Sequence, residues 1–189
     1  MIQTKFQEMQ FAELAWWSNY MSHPMARERM YALYGARYMD YFWTEFEDSV
    51  QRTVEFGSGP LPVMFMLKTV VGACIDPLWN HYSAQGWTHP GLNGFLSAAP
   101  LKDESVDQVL LLNVLDHTDE PDRLVADAKR VLRYGGRALV FVHLNQQDPK
   151  HSLVTESDVR RWFSSWTEVK SNIQVTPFDP DAFVGVFVK

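Results

Sequence analysis

Apolar residues recur at helical spacing at the start of the chain. Over residues 5–21, Phe6, Met9, Ala12, Trp16 and Tyr20 share one face. From about Met25 to Phe46, Met30, Leu33, Tyr34, Tyr38, Tyr41 and Phe42 share another. Ser22-His23-Pro24 breaks the two apart, because proline cannot continue a helix. The pattern then changes period. Thr53–Phe56 reads as a short strand that turns through Gly57-Ser58-Gly59 into an apolar segment led by Pro60 and Pro62. Proline is tolerated in the first turn of a helix, so strand, tight turn and helix are predicted here. Val70–Asp76 is a second apolar run, closed by Pro77, and a short helix is expected around Trp79–Gln85.

Gly94–Ala98 is expected to form a third short strand. The run Val109-Leu-Leu-Leu-Asn113-Val-Leu115 is apolar without alternation, which suits a central parallel strand covered on both faces. Thr118-Asp-Glu-Pro121 starts a helix whose face carries Leu124, Val125, Ala128, Val131 and Leu132, and Gly135-Gly136 stops it. Arg137–Leu144 is the next strand. Thr155-Glu-Ser-Asp158 is a capping-box pattern ahead of Val159, Trp162, Phe163 and Trp166. Thr167–Thr176 and Ala182–Val188 close the chain. The connector between them is too short for a parallel crossover, so they form an antiparallel hairpin.

At 189 residues the chain is expected to be one domain, with residues 1–48 as N-terminal helices and 49–189 as an α/β core. A net charge of −6 argues against a general nucleic-acid or anionic-membrane binder, which needs a basic face. The single Cys74 excludes an internal disulfide framework and a cysteine-rich metal site. No apolar run reaches membrane-spanning length, and no basic-then-apolar leader opens the chain, so a cytoplasmic monomer or homodimer is expected. His23, His81, His89 and His151 lack metal-ligand spacing, and no metal is expected.

The glycine turn carries the first chemical signal. Gly57 and Gly59 let a ligand approach the backbone at the carboxyl end of a strand, where open α/β sheets bind ligands. Asp76 follows Gly57 by about 20 positions, the separation at which a nucleotide fold places its ribose-binding carboxylate. Pro62 stands where a nicotinamide-dinucleotide turn would need its third glycine.

Further motifs follow in order: Glu55-Phe-Gly-Ser-Gly59, Cys74-Ile-Asp76, Leu101-Lys-Asp-Glu-Ser-Val-Asp107-Gln-Val, Asn113-Val-Leu-Asp-His117-Thr-Asp-Glu-Pro and Arg130-Val-Leu-Arg-Tyr-Gly-Gly136. Together they resemble the class I S-adenosylmethionine-dependent methyltransferases, in their small-molecule (type 11-like) branch. The resemblance covers roughly residues 53–144. It implies a three-layer Rossmann-like fold. The sheet would be seven-stranded and mostly parallel, with a C-terminal antiparallel hairpin and an N-terminal helical lid.

The resemblance further implies transfer of a methyl group from S-adenosylmethionine to an O, N or C atom of a small molecule. Glu55 would support the cofactor's ammonium end, directly or through the turn. Gly57, Ser58 and Gly59 would pass beneath it, and Asp76 would accept the ribose hydroxyls. Pro77 and Leu78 would follow along the nucleoside, and Ser97 and Ala98 would border the adenine. Asn113, with Val114 beside it, would offer its backbone carbonyl. Trp17 and Tyr20 would shield the sulfonium through a cation–π contact. His117 is the candidate general base, with His143 a second candidate.

Two departures keep other readings open. Leu61 stands where the family has a further glycine and could narrow the space beside the cofactor. The third motif, Leu96-Ser97-Ala98, lacks the usual acid. An enzyme that uses the same cofactor without methyl transfer, such as a lyase, and a degenerate binding or scaffold protein are the alternatives.

Overall fold

The computed structural model describes residues 5–39, 41–42, 51–66, 71–87, 91–94, 98–146, 151–174 and 181–189. Helix α1 spans Lys5–Met21, as its periodicity predicts. Helix α2 spans Ala26–Tyr34 and continues as one π-helical turn over Gly35–Met39. The expected continuation to Phe46 runs partly outside the described residues. Strand β1 is Arg52–Phe56 and β2 is Val71–Asp76. Between them the predicted helix is, among the described residues, only a 3-10 turn over Val63–Met66. Helix α3 is Trp79–Ala84, and β3 is the two-residue strand Leu92–Asn93. Strand β3 thus precedes the expected Gly94–Ala98 strand, of which residues 95–97 lie outside the described residues.

Strand β4 is Val106–Leu112, helix α4 is Pro121–Val131 and β5 is Leu132–His143. Proline stands at the start of α4, where its missing N–H costs nothing. The glycine pair expected to stop α4 lies instead inside β5, which begins directly after the helix. Helix α5, Glu156–Trp162, has the predicted capping box: the Thr155 side chain accepts from the Asp158 N–H, and the Asp158 side chain accepts from the Thr155 N–H. Strands β6 (Thr167–Gln174) and β7 (Ala182–Val188) follow.

The seven strands form one sheet in the order β3-β2-β1-β4-β5-β7-β6. The pairs from β3 through β5 are parallel, and β7 runs antiparallel to both β5 and β6. Side chains alternate across this sheet into two apolar clusters. Val109 and Leu111 of β4, with Ala138, Val140 and Val142 of β5, meet Leu124, Ala128 and Val131 of α4 and Val159 of α5. Leu110 and Leu112, with Leu139 and Phe141, meet Trp17 of α1, Met30 and Tyr34 of α2, Tyr38, and Trp79 and Tyr82 of α3. Helices therefore cover both faces, which is why β4 needs unbroken hydrophobicity. No helix among the described residues is long and apolar enough to cross a membrane.

Candidate active site

Strand order reverses between β1 and β4, and a cavity of about 340 Å³ opens at the carboxyl ends of the strands there. Gly57 and Gly59 both take positive φ, 63° and 59°, which turns the chain sharply at the end of β1. Gly59 also lies against the indole of Trp17: a Cβ built on it would stand 3.0 Å from Trp17 Cζ2. Helix α1 therefore rests directly on the glycine turn.

Two buried carboxylates hold this turn. Glu55 accepts from the Val63 and Met64 N–H groups at 3.0 and 2.8 Å, capping the 3-10 turn. Burial pushes its carboxyl up to about 7, against those two hydrogen bonds. Asp76 Oδ2 accepts from the Gly59 N–H at 2.9 Å, and Oδ1 from the Leu78 N–H at 2.8 Å. Burial raises Asp76 to about 6 against its own two backbone donors. Asp76 thus ties the end of β2 to the glycine turn and still lines the cavity.

Asn113 leaves β4 in the left-handed region, φ 60°, a conformation asparagine tolerates better than most residues. Its N–H donates to the Phe141 carbonyl at 2.7 Å. Its side-chain Nδ2 faces His117 Nε2 at 3.3 Å. The other ring nitrogen, His117 Nδ1, lies 3.4 Å from Glu13 Oε2 of α1. Beside His117, Asp116 is fully buried. Burial pushes its carboxyl up, but His117, His143 and His151 outweigh that and hold it below the ordinary carboxylate range.

The roof is aromatic. Trp16 stacks on Tyr20 at 5.2 Å between centroids, and Trp17 meets Tyr20 edge-on at 6.1 Å. The π-helical turn after α2 presents Arg37 and Tyr38 to the cavity beside Tyr34. The Arg37 guanidinium lies 5.4 Å from the Phe141 ring centroid. A second cavity adjoins along α1, lined by Phe6, Phe11, Asn93 and Gly94, and shares Gln10, Pro77 and Leu78 with the first.

Of the residues singled out in the sequence, Trp17, Tyr20, Glu55, Gly57, Ser58, Gly59, Asp76, Pro77, Leu78, Asn113, Val114 and His117 all line the first cavity, as does His143. Ser97 lies outside the described residues, and Ala98 is exposed and borders neither cavity. Leu61 is fully buried in the apolar cluster under α2 and lines neither cavity, so it does not narrow this space. Gln10, Glu13, Arg37 and His151 also line the cavity and were not predicted to do so. No signal along the chain pointed to His151: the pairing of β4 with β5 brings it to the edge where His117 stands.

A family model described as a methyltransferase domain matches residues 54–140. No curated protein matches the chain in sequence. Among solved structures, the chain is similar to a 1,6-didemethyltoxoflavin-N1-methyltransferase from Burkholderia thailandensis, crystallised with 1,6-didemethyltoxoflavin and S-adenosylhomocysteine. Identity is 16%, coverage is 100% of this chain and 92% of that one, and the TM-score is 0.63. A SAM dependent methyltransferase from Archaeoglobus fulgidus aligns at 13% identity, over 86% of this chain and 94% of that one, with a TM-score of 0.66. The [4+2]-cyclase SpnF aligns at 13% identity, over 87% and 80%, with a TM-score of 0.62. At these identities the structural likenesses speak for the fold.

Proposed function

We propose that this chain is a class I methyltransferase that takes a methyl group from S-adenosylmethionine and delivers it to an oxygen, nitrogen or carbon atom of a small molecule, a reading supported by the methyltransferase-domain match over residues 54–140 and by the fold shared with such enzymes. The observation that carries the reading is the cavity itself. It lies between the glycine turn and the aromatic roof of α1 and α2, with imidazoles along one wall. Its volume of about 340 Å³ falls at the lower end of the ~300–1,000 Å³ of small-molecule sites.

The residues present suit the cofactor. Gly57 and Gly59 add no Cβ at two of the three positions of the turn, and Glu13, Glu55 and Asp76 make an acidic lining for a cationic ligand. Each Asp76 oxygen takes one backbone N–H and keeps a lone pair for a ribose hydroxyl. Pro77 and Leu78, where the two cavities meet, would flank the nucleoside. The Asn113 carbonyl, with Val114 beside it, would face the ammonium group, and Trp17 and Tyr20 the sulfonium.

The cofactor, when bound, supplies a methyl group already activated for transfer. The protein supplies position, dryness and charge. His117 would accept the proton of a hydroxyl or amine acceptor, and Glu13 would steady the resulting imidazolium. Trp17 lies on Gly59, so a shift of α1 would widen the space over the turn for cofactor and acceptor. That is the motion expected of a lid.

A reading without methyl transfer has one observation in its favour: the same fold serves the [4+2]-cyclase SpnF. Incubation with methyl-labelled S-adenosylmethionine and a panel of small hydroxyl and amine acceptors separates the two. Label in a small product supports methylation. Cofactor that binds but stays intact across the panel, while an acceptor rearranges, overturns it.

A further inference from the structure

Asp116 is 0% exposed, and among the described residues neither of its carboxylate oxygens accepts a hydrogen bond. Leaving a carboxylate so buried without a donor is costly. Three imidazoles face the same oxygen. His117 Nε2 lies 3.9 Å from Oδ2, and His143 Nδ1 and His151 Nε2 each lie 3.7 Å from it. These separations exceed the ~2.7–3.2 Å of an N–H···O hydrogen bond. They approach the spacing of two ligand atoms on one ion. Metal–ligand bonds of about 2.0–2.2 Å place tetrahedral neighbours roughly 3.3–3.6 Å apart. One ligand atom from each of Asp116, His117 and His151 lies within 4.8 Å of the others.

The backbone builds this arrangement without using those side-chain atoms. The His117 N–H donates to the Val114 carbonyl at 3.1 Å, closing the turn after β4. The Ser152 N–H donates to the Asp116 carbonyl at 2.6 Å, and Ser152 Oγ donates to the Thr118 carbonyl at 2.9 Å. Those two bonds seat His151 against the β4 turn, its ring centroid 4.4 Å from that of His117.

We propose that Asp116, His117 and His151 form a binding site for a divalent transition-metal ion of the zinc class. Two imidazoles and a carboxylate suit such an ion and leave a fourth coordination position. His117 and His151 line the active-site cavity, so that position opens toward the acceptor. His143 stands beside Asp116, outside the set of three. This deepens the methyltransferase reading and rests on it for its consequence: the ion would hold an acceptor hydroxyl and lower its pKa, the hydroxyl proton would pass to His143 in the same cavity wall, and His117 would serve as a ligand rather than the base.

The test uses the full chain, stripped with a chelator and free of cofactor. Co2+ is titrated while visible absorption is followed, and Zn2+ binding is measured by competition. One equivalent is expected to saturate the site. Asp116→Asn and His151→Ala should each weaken binding by at least about 100-fold, the upper end of what loss of a mere supporting partner costs. His23→Ala, on the exposed linker, should bind as the wild type does. His151→Ala keeps the test decisive if Asp116→Asn does not fold. No saturable binding, or equal binding by wild type and a folded His151→Ala, overturns the proposal. Affinity for S-adenosylmethionine in the same stripped protein is read separately. Its loss would count against the methyltransferase reading and not against the metal site.

Discussion

Asp76 anchors the glycine turn from inside the candidate site. Its two oxygens bind the Gly59 and Leu78 N–H groups, and the same carboxylate faces the cavity. Hydrogen bonds to a charged group are each worth about 1.5–3 kcal/mol. Asp76→Ala is therefore expected to weaken cofactor binding by roughly ten- to a hundredfold. It should also lower the melting temperature, because the glycine turn loses its anchor. Calorimetry and thermal melts on the same variant check both, and normal binding would remove Asp76 from the site. Glu55 gives a pH prediction. Its pKa is raised by burial from 4.5 to about 7, so the folded state holds a proton that the unfolded chain has released. The resulting stabilisation is present in full below about pH 4.5 and fades as pH rises through about 7. It amounts to on the order of 3 kcal/mol at most. Melts between pH 5 and 8 should decline for the wild type and decline less for Glu55→Gln. An equal slope in both would show that Glu55 ionises normally.

Helix α1 is the element whose role depends on motion. It carries Trp16, Trp17 and Tyr20 as one aromatic group, and Trp17 packs on the glycine turn. If α1 is a lid, adding cofactor should change hydrogen exchange over residues 10–22. Replacing both Trp17 and Tyr20 by alanine should then reduce turnover more than thermal stability. A static brace predicts exchange that ignores the ligand, and a double variant that loses activity and stability in step. The π-helical turn after α2 belongs to the same reading. Such turns interrupt a regular helix and recur at functional sites, and this one brings Arg37 and Tyr38 to the cavity wall.

The molecule as a whole is organised around β4, which pairs with β1 on one side and β5 on the other. Its successive residues feed both apolar clusters, so it couples the two helical layers. Leu110 is fully buried beneath the N-terminal helices. Leu110→Ala is expected to cost about 2–5 kcal/mol, through lost burial and the cavity left behind. Denaturant unfolding should show one cooperative transition shifted to lower concentration. A shift under about 1 kcal/mol would mean that the N-terminal layer is not packed on the sheet as described.

Much of this was legible along the chain, because it is written in local periodicity. The helical span of Lys5–Met21, the unbroken run of β4, the capping box at Thr155 and the closing antiparallel pair each depend on neighbours a few residues away, although the buried face of that helix turns on Trp17 rather than Trp16. The glycine turn and Asp76 were legible for a similar reason: one crossover between the parallel strands β1 and β2 sets their separation. Where the expectation failed, distant groups had intervened. Among the described residues the helix expected after Pro60 is a 3-10 turn whose Val63 and Met64 N–H groups are taken by Glu55 from the preceding strand. Leu61 was read as a neighbour of the cofactor, yet packing carries it into the core under α2. The histidine cluster is the clearest case. His117, His143 and His151 have no metal-ligand spacing along the chain. They meet Asp116 only because β4 and β5 lie side by side and Ser152 pins the following loop to the β4 turn. Spacing along a chain reports what shares a helix face or a strand; it carries no information about which strand ends the sheet will bring together.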